Sequence, residues 1–125
     1  MTKYKSQGFN KTFKNARKGF NLAVRSEINI RVHVAIAILV IVAAILLNFS
    51  VSEICLLLFV IALVIVTEML NTAIEFTLDS VYHNRYSRMV GMAKDISAGA
   101  VLFATAVSII VGLLLFGSKI PAIIL

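Results

Sequence analysis

Apolar residues dominate three long stretches of the chain, and polar residues cluster before and between them. The apolar stretches cover about residues 32–49, 54–78 and 96–117. A helix of about 20 apolar residues crosses the ~30 Å hydrocarbon core of a lipid bilayer. The pattern therefore predicts three transmembrane helices and an all-α integral membrane fold.

The segment ahead of the first span has a different pattern. Apolar side chains recur at helical spacing between residues 9 and 24, and they are Phe9, Phe13, Ala16, Phe20, Ala23 and Val24. Lysine and arginine side chains project from the opposite side, which is typical of a helix that lies in the membrane interface. We expect residues 1–31 to form this interfacial segment and residues 1–125 to form a single membrane-embedded domain. The alternative for the amphipathic helix is packing on a protein partner.

Composition and charge support a membrane protein. The chain has 125 residues, of which 60% are hydrophobic and 14% are charged, and this excludes an ordinary soluble domain. The net charge is +6, and the first 31 residues carry eight lysines and arginines but one acid, Glu27. Because apolar spans follow directly, anionic lipid is the expected partner of this basic segment, and nucleic acid is not.

The positions of lysine and arginine predict the orientation in the membrane. The basic N-terminus belongs in the cytoplasm, whereas residues 50–53 have no lysine or arginine and belong outside. The connection over about residues 80–95 contains Arg85, Arg88 and Lys94 and belongs inside. We expect this connection to be a cytoplasmic loop and the C-terminus to lie outside.

The stretch "EMLNTAIEFTLD", residues 68–79, places three carboxylates and an amide at the end of the second span; they are Glu68, Asn71, Glu75 and Asp79. On a helix these residues share one face within about 80°. Glu68 lies about 21 Å along the helix from Ile54, near the cytoplasmic edge of the hydrocarbon core. A charged group there is costly unless it is paired, and it is a functional candidate by default. The alternative is a structural polar network between helices.

Five of the six acids are expected at the cytoplasmic face, and they are Glu27, Glu68, Glu75, Asp79 and Asp95. Glu53 is left over in the external loop, where we expect it to be solvated. Mg²⁺ is typically held by one or two carboxylates together with substrate phosphates. Carboxylates that could bind a metal or act as a base, together with a lysine that could bind phosphate, favour phosphoryl transfer. No P-loop sequence is present, because "GLLLFGSK", residues 112–119, has serine and lysine in the wrong order.

Two motifs carry a family resemblance. "EMLNTAIEFTLD" followed by "AKDISAGAVL" closely resembles the signature of the prokaryotic diacylglycerol kinase family, which includes undecaprenol kinases. The resemblance runs from about Phe13 to Phe116, with a looser match at "RSEINIRVH", residues 25–33. It implies a surface helix and three transmembrane helices assembled as a homotrimer in the bacterial inner membrane. It also implies transfer of the γ-phosphate of ATP to a membrane lipid alcohol with Mg²⁺.

The resemblance also implies roles for individual residues. Glu68 looks like the general base, and Glu27 and Glu75 look like metal ligands. Asn71 and Asp79 match residues that order the site. The residues that match ATP contacts are Lys94, Asp95, Gly91, Tyr86 and Lys18.

His33 bears on the choice of lipid. We expect a hydrogen-bonded histidine at the start of the first span, and it resembles the family branch that often prefers undecaprenol to diacylglycerol. The resemblance therefore favours undecaprenol.

Two other classes remain: a small proton- or cation-coupled transporter that uses Glu68, and a non-catalytic membrane subunit whose acids hold partner helices. Three spans and the adjacent Lys94 and Asp95 argue against the transporter.

Overall fold

The structure, a computed structural model, describes residues 8–121 and contains four α-helices in that range. They are α1 (Phe9–Ser26), α2 (Ile28–Leu46), α3 (Val51–Tyr82) and α4 (Arg88–Gly117). No strand occurs among residues 8–121. The predicted all-α fold, with an N-terminal amphipathic helix and three membrane-length helices, is confirmed. Lys3 and Lys5 of the basic segment lie outside the described residues.

Helices α2, α3 and α4 are long and apolar enough to cross a membrane. They have 19, 32 and 30 residues. At 1.5 Å per residue, α3 and α4 are about 45–48 Å long, which exceeds the ~30 Å hydrocarbon core by several turns. One helix can therefore carry residues both in the hydrocarbon and in the aqueous boundary.

The connection between α3 and α4 is shorter than predicted. Only residues 83–87 lie outside the two helices, so the expected loop over residues 80–95 is wrong. The helical backbone continues past the apolar residues because local caps stabilise the end of α3 and the start of α4. Ser87 accepts a bond from the Val90 backbone N–H at 3.1 Å, and His83 ends α3 in a left-handed conformation (φ 52°). Hence Gly91, Lys94 and Asp95 lie on the first two turns of α4.

The opposite end of the bundle is also tied together by polar groups. Ser50 and Glu53 form a reciprocal capping box at the start of α3, with bonds of 3.2 and 2.9 Å. Glu53 also accepts a bond from Lys119 at 2.9 Å, and the Lys119 ammonium lies 5.2 Å from the Phe49 ring centroid. The expectation that Glu53 is a free solvated side chain is therefore wrong. The predicted first span also runs three residues past Leu46, where α2 ends.

Helix α3 is the centre of the bundle, because it packs against both α2 and α4. Its buried residues recur every three or four positions along one face, and they are Leu57, Val60, Val64, Glu68 and Thr72. This buried stripe is apolar for most of its length. It becomes polar at Glu68, toward the end of the bundle that carries the 83–87 loop, which we call the polar end.

Most large apolar side chains of the bundle face outward. Leu39, Phe59, Leu102 and Phe103 are 69–73% exposed on three different helices. No residue of α1 is buried, and Phe9, Phe13 and Phe20 on its apolar face are 44–81% exposed. A contiguous apolar surface of this extent marks a membrane or protein contact. Together with three membrane-length helices, it identifies an integral membrane protein.

Candidate active site

Glu68 is the most buried carboxylate of the predicted stripe, with only 6% of the residue exposed. Its Oε1 atom lies 3.3 Å from Nε2 of His33, which is in the second turn of α2. This distance is longer than the roughly 2.7–2.9 Å of a tight charge-assisted hydrogen bond. The structure thus gives His33 a carboxylate partner on the neighbouring helix. A buried carboxylate can accept a proton from a hydroxyl brought beside it, which is the chemistry of a general base.

An apolar cleft of about 420 Å³ opens beside the Glu68–His33 pair, between α2, α3 and α4. Its lining runs from His33 at the polar end to Phe116 near the opposite end of the bundle. Among the lining residues, His33 is the only one with an ionisable side chain, and Thr105 and Ser108 add two hydroxyls. The cleft therefore matches a hydrocarbon chain in chemistry, and its polar end is lined by His33, the partner of Glu68.

Asn71, three residues beyond Glu68, faces α4 instead of α2. Its Oδ1 atom accepts a hydrogen bond from the Ser97 hydroxyl at 2.6 Å. Ser97 is 6% exposed, so this bond is part of the α3–α4 interface. The bond uses the amide oxygen, and the NH₂ group is the part of Asn71 that can donate to a substrate. Sequence reasoning missed Ser97, although a serine three residues after Lys94 in an apolar run was the available signal.

Lys94 and Asp79 form an ion pair further along the polar end. Their Nζ and Oδ1 atoms lie 2.7 Å apart, and both side chains are more than a third exposed. Glu75, one turn before Asp79, also acts electrostatically on Lys94. Exposed pairs of this kind add little stability, because water and salt screen them. The arrangement instead holds an ammonium group, near water, where it can meet an anionic ligand.

Gly91 and Tyr86 are in contact across the 83–87 loop and the start of α4. A Cβ atom on Gly91 would lie 3.2 Å from Cε2 of the Tyr86 ring, which is closer than ordinary packing allows. The glycine therefore lets the ring approach the backbone of α4. Tyr86 is 85% exposed, so its ring is available to a ligand at the polar end. Asp95 is likewise exposed, on the first turns of α4.

Glu27 lies at the elbow between α1 and α2. Its backbone is extended (φ −122°, ψ 118°), which separates the two helices. The guanidinium of Arg31 donates from Nη1 to the carbonyl oxygens of Val24 and Arg25, at 3.0 and 2.7 Å. Arg31 thus closes the end of α1 and fixes the elbow that carries Glu27, a role that sequence reasoning missed. Lys18 lies exposed on α1.

The predicted metal ligands are not part of a cluster within one chain. Among residues 8–121, no three histidine, cysteine, aspartate or glutamate side chains are grouped closely enough to hold a metal ion. The roles of Glu27 and Glu75 stay predictions. The sequence-predicted residues that the structure does bring together are Lys94 with Asp79, and Gly91 with Tyr86.

Comparisons of the sequence with known proteins identify the family. A sequence model of prokaryotic diacylglycerol kinase matches residues 14–116. The chain is 36% identical over 101 residues to a diacylglycerol kinase of Synechocystis, which covers 81% of this chain and 58% of that protein. It is 35% identical over 112 residues to an undecaprenol kinase of Bacillus subtilis, which covers 90% of each chain. The chain thus spans less than two thirds of the first relative and nine tenths of the second. The resemblance seen in the two motifs is confirmed, and the chain belongs to the prokaryotic diacylglycerol kinase family.

Proposed function

We propose that this protein is a membrane lipid kinase that transfers the γ-phosphate of ATP to the hydroxyl of a lipid alcohol. The observation that carries the proposal is the buried Glu68, whose partner His33 lines the polar end of an apolar cleft. Family membership and the names of the two relatives support the same reaction. Family membership also disfavours the transporter and the non-catalytic subunit.

At the lipid end of the site, the cleft would hold a hydrocarbon chain and present its hydroxyl to Glu68. The hydroxyl oxygen attacks the γ-phosphorus while Glu68 accepts the hydroxyl proton. A new P–O bond forms to the lipid, and the bond between the γ-phosphorus and the β–γ bridging oxygen breaks, so ADP leaves. A base near the membrane edge suits this reaction, because a lipid hydroxyl lies at that depth.

At the nucleotide end, the residues lie further from the hydrocarbon. Asp79 is eleven residues beyond Glu68, which is about 16 Å along the helix. Lys94 would exchange its contact with Asp79 for a phosphate of ATP, and Asn71 would donate to the transferred group. The remaining proposed ATP contacts are Asp95, Gly91, Tyr86 and Lys18. Depth along α3 would thus separate the lipid alcohol from the nucleotide.

Glu27 and Glu75 would hold Mg²⁺. Carboxylate oxygens are the ligands that this ion prefers, and one or two of them suffice when phosphates complete the coordination. A donor set of two glutamates on separate elements therefore fits the ion, although this chain forms no three-ligand cluster within residues 8–121. When bound, Mg²⁺ would neutralise charge on the phosphates. Glu27 and Glu75 have to reach the phosphates from the elbow and from α3, respectively.

We further propose a homotrimer whose sites are built partly from neighbouring subunits. The exposed apolar sides of α2, α3 and α4 leave ample surface for helix contacts, and Gly99 with Ala98 and Ala100 allows close approach on α4. The basic side of α1 would bind anionic lipid at the cytoplasmic face of the bacterial inner membrane. The N-terminus would then lie in the cytoplasm, and residues 1–125 would act as one domain.

Undecaprenol is the lipid alcohol that we favour over diacylglycerol. The relative that this chain matches over nine tenths of both lengths is named an undecaprenol kinase. His33 at the end of the cleft is the residue whose identity resembles that branch.

The test is a phosphorylation assay on purified protein in detergent micelles. The reaction contains radiolabelled ATP, Mg²⁺ and either undecaprenol or diacylglycerol, and Glu68→Gln protein is run in parallel. We expect label in the lipid fraction with undecaprenol and little label in the variant. Label with diacylglycerol alone would overturn the choice of lipid. No label with either lipid, in a folded protein that binds ATP, would refute the kinase.

A further inference from the structure

His33 contacts the candidate base and also lines the cleft. Its Nε2 lies 3.3 Å from Oε1 of Glu68, and the residue also lines the polar end of the cleft. Its side chain is 26% exposed, whereas that of Glu68 is 8% exposed. The imidazole therefore stands between a nearly dry carboxylate and the volume that a lipid alcohol would enter.

We propose that His33 is a positioning residue, which holds one oxygen of Glu68 so that the other oxygen is free for the lipid hydroxyl. This inference rests on the proposed lipid kinase reaction and deepens it. The terminal torsion of a glutamate is broad and roughly two-fold, so an unrestrained carboxylate samples many orientations. A contact from an imidazole N–H to Oε1 restricts that rotation. It leaves Oε2 as the proton acceptor.

Two neighbouring polar groups on α3, Thr67 and Asn71, form hydrogen bonds elsewhere. The Thr67 hydroxyl donates to the Val64 carbonyl oxygen at 2.9 Å. The Asn71 oxygen is bonded to Ser97 on α4. Within the part of the chain that the structure describes, the contact recorded for the Glu68 carboxylate is the one with His33. Catalytic contacts are often long before substrate binds and shorten in the complex, so a separation of 3.3 Å in the free protein fits this role.

Two substitutions of His33 separate positioning from packing. His33→Phe keeps a ring of similar shape and removes the N–H donor. His33→Gln keeps an N–H donor near the place of Nε2 on an uncharged side chain. The matched control is His83→Asn, which removes the other histidine of the chain at an exposed position and tolerates its left-handed backbone.

The first readout is steady-state kinetics with the lipid alcohol and ATP. We expect His33→Phe to lower kcat by about 10- to 100-fold, which is the effect of losing one hydrogen bond to a charged group. The KM for ATP should stay near the wild-type value, and His33→Gln should recover most of the lost kcat. The control should resemble wild type. Wild-type kcat in His33→Phe, with Glu68→Gln inactive, would overturn the positioning role and leave the kinase standing.

The second readout does not depend on activity. Glutamate side chains are labelled with ¹³C at the carboxyl, and the Glu68 resonance is assigned by its loss in Glu68→Gln. If His33 holds this carboxylate, His33→Phe moves the Glu68 resonance and His83→Asn does not. An unmoved resonance in folded His33→Phe protein would overturn the inference. Absence of lipid phosphorylation by wild-type protein would instead refute the proposed function, and the inference with it.

Discussion

Replacement of Glu68 by glutamine is the sharpest test of the proposed mechanism. Glutamine keeps the length of the side chain and a carbonyl oxygen that can accept from His33, so the fold should survive. It cannot accept the hydroxyl proton. Because the residue is 6% exposed, bulk water is poorly placed to act as a base in its stead. We therefore expect kcat to fall by roughly 10²- to 10⁴-fold, the usual contribution of a positioned base.

That loss corresponds to about 3–5 kcal/mol in the activation barrier. It should appear in kcat and not in ATP binding, because Lys94 and Asp79 lie about 16 Å further along the bundle. The KM for ATP should therefore change little in Glu68→Gln. Glu75→Gln and Lys94→Ala act at the nucleotide end, and both should raise the KM for ATP as well as lower kcat. The contrast between Glu68 and Glu75, two turns apart on one helix, is the decisive comparison.

The assay is initial-rate transfer of radiolabel from ATP to the lipid alcohol, with ATP varied at saturating lipid. Thermal unfolding and ATP binding are measured on each variant, so that a misfolded preparation is recognised. Near-normal turnover of Glu68→Gln in folded, ATP-binding protein would refute the role of base. The proton would then have to go to Asp95 or to the substrate itself, and Glu68 would be a structural partner of His33.

Four other predictions follow from the same geometry. Glu27→Gln and Glu75→Gln should each raise the Mg²⁺ concentration needed for half-maximal activity; unchanged metal dependence in both would refute the ligand assignment. Gly91→Ala places a Cβ atom 3.2 Å from the Tyr86 ring and should raise the KM for ATP, and an unaltered KM would show that the ring makes no ATP contact. Ser97→Ala leaves a half-buried amide oxygen on α3 without its donor and should destabilise the protein by about 1–3 kcal/mol in thermal unfolding, whereas an unchanged midpoint would mean that the bond contributes nothing. Native mass spectrometry of active protein in detergent should show trimers, and monomers alone would contradict the proposed assembly.

The membrane fold could be predicted from the sequence because its cause is local. Three apolar runs of membrane length and one amphipathic segment determine four helices without knowledge of their packing. The helix ends were less predictable. Hydropathy marks where the hydrocarbon ends, whereas α3 and α4 continue to Tyr82 and from Arg88 because capping and polar side chains sustain them in water.

The polar stripe of α3 could be predicted as one face, but its partners could not. Glu68 meets His33 on α2, whereas Asn71 and Asp79 meet residues of α4. A face about 80° wide on α3 borders both α2 and α4, so some of its residues contact α2 and others contact α4. Periodicity along α3 contains no information about the helix on either side.

Contacts between helices were missed for the same reason. The pairing of Ser97 with the α3 amide depends on which turn of α4 comes opposite each turn of α3. That register is set by the short 83–87 loop and is fixed again by the bond between Glu53 and Lys119 at the other end. A sequence pattern that places residues 80–95 in a loop cannot predict this register, and so it predicts neither the Ser97–Asn71 bond nor the Glu53–Lys119 bond.

The proposed reaction accounts for a site that is spread along a helix. A lipid alcohol stays in hydrocarbon, whereas ATP stays in water, so the proposed reaction needs a buried base and solvent-exposed cations at different depths. The buried stripe of α3 does this by changing from Leu57, Val60 and Val64 to Glu68, and the Lys94–Asp79 pair follows about 16 Å further out. The exposed apolar flanks of the bundle leave this gradient open on its outer side. Neighbouring copies of the chain would cover this outer side. The proposed trimer would therefore contribute to the site as well as to stability.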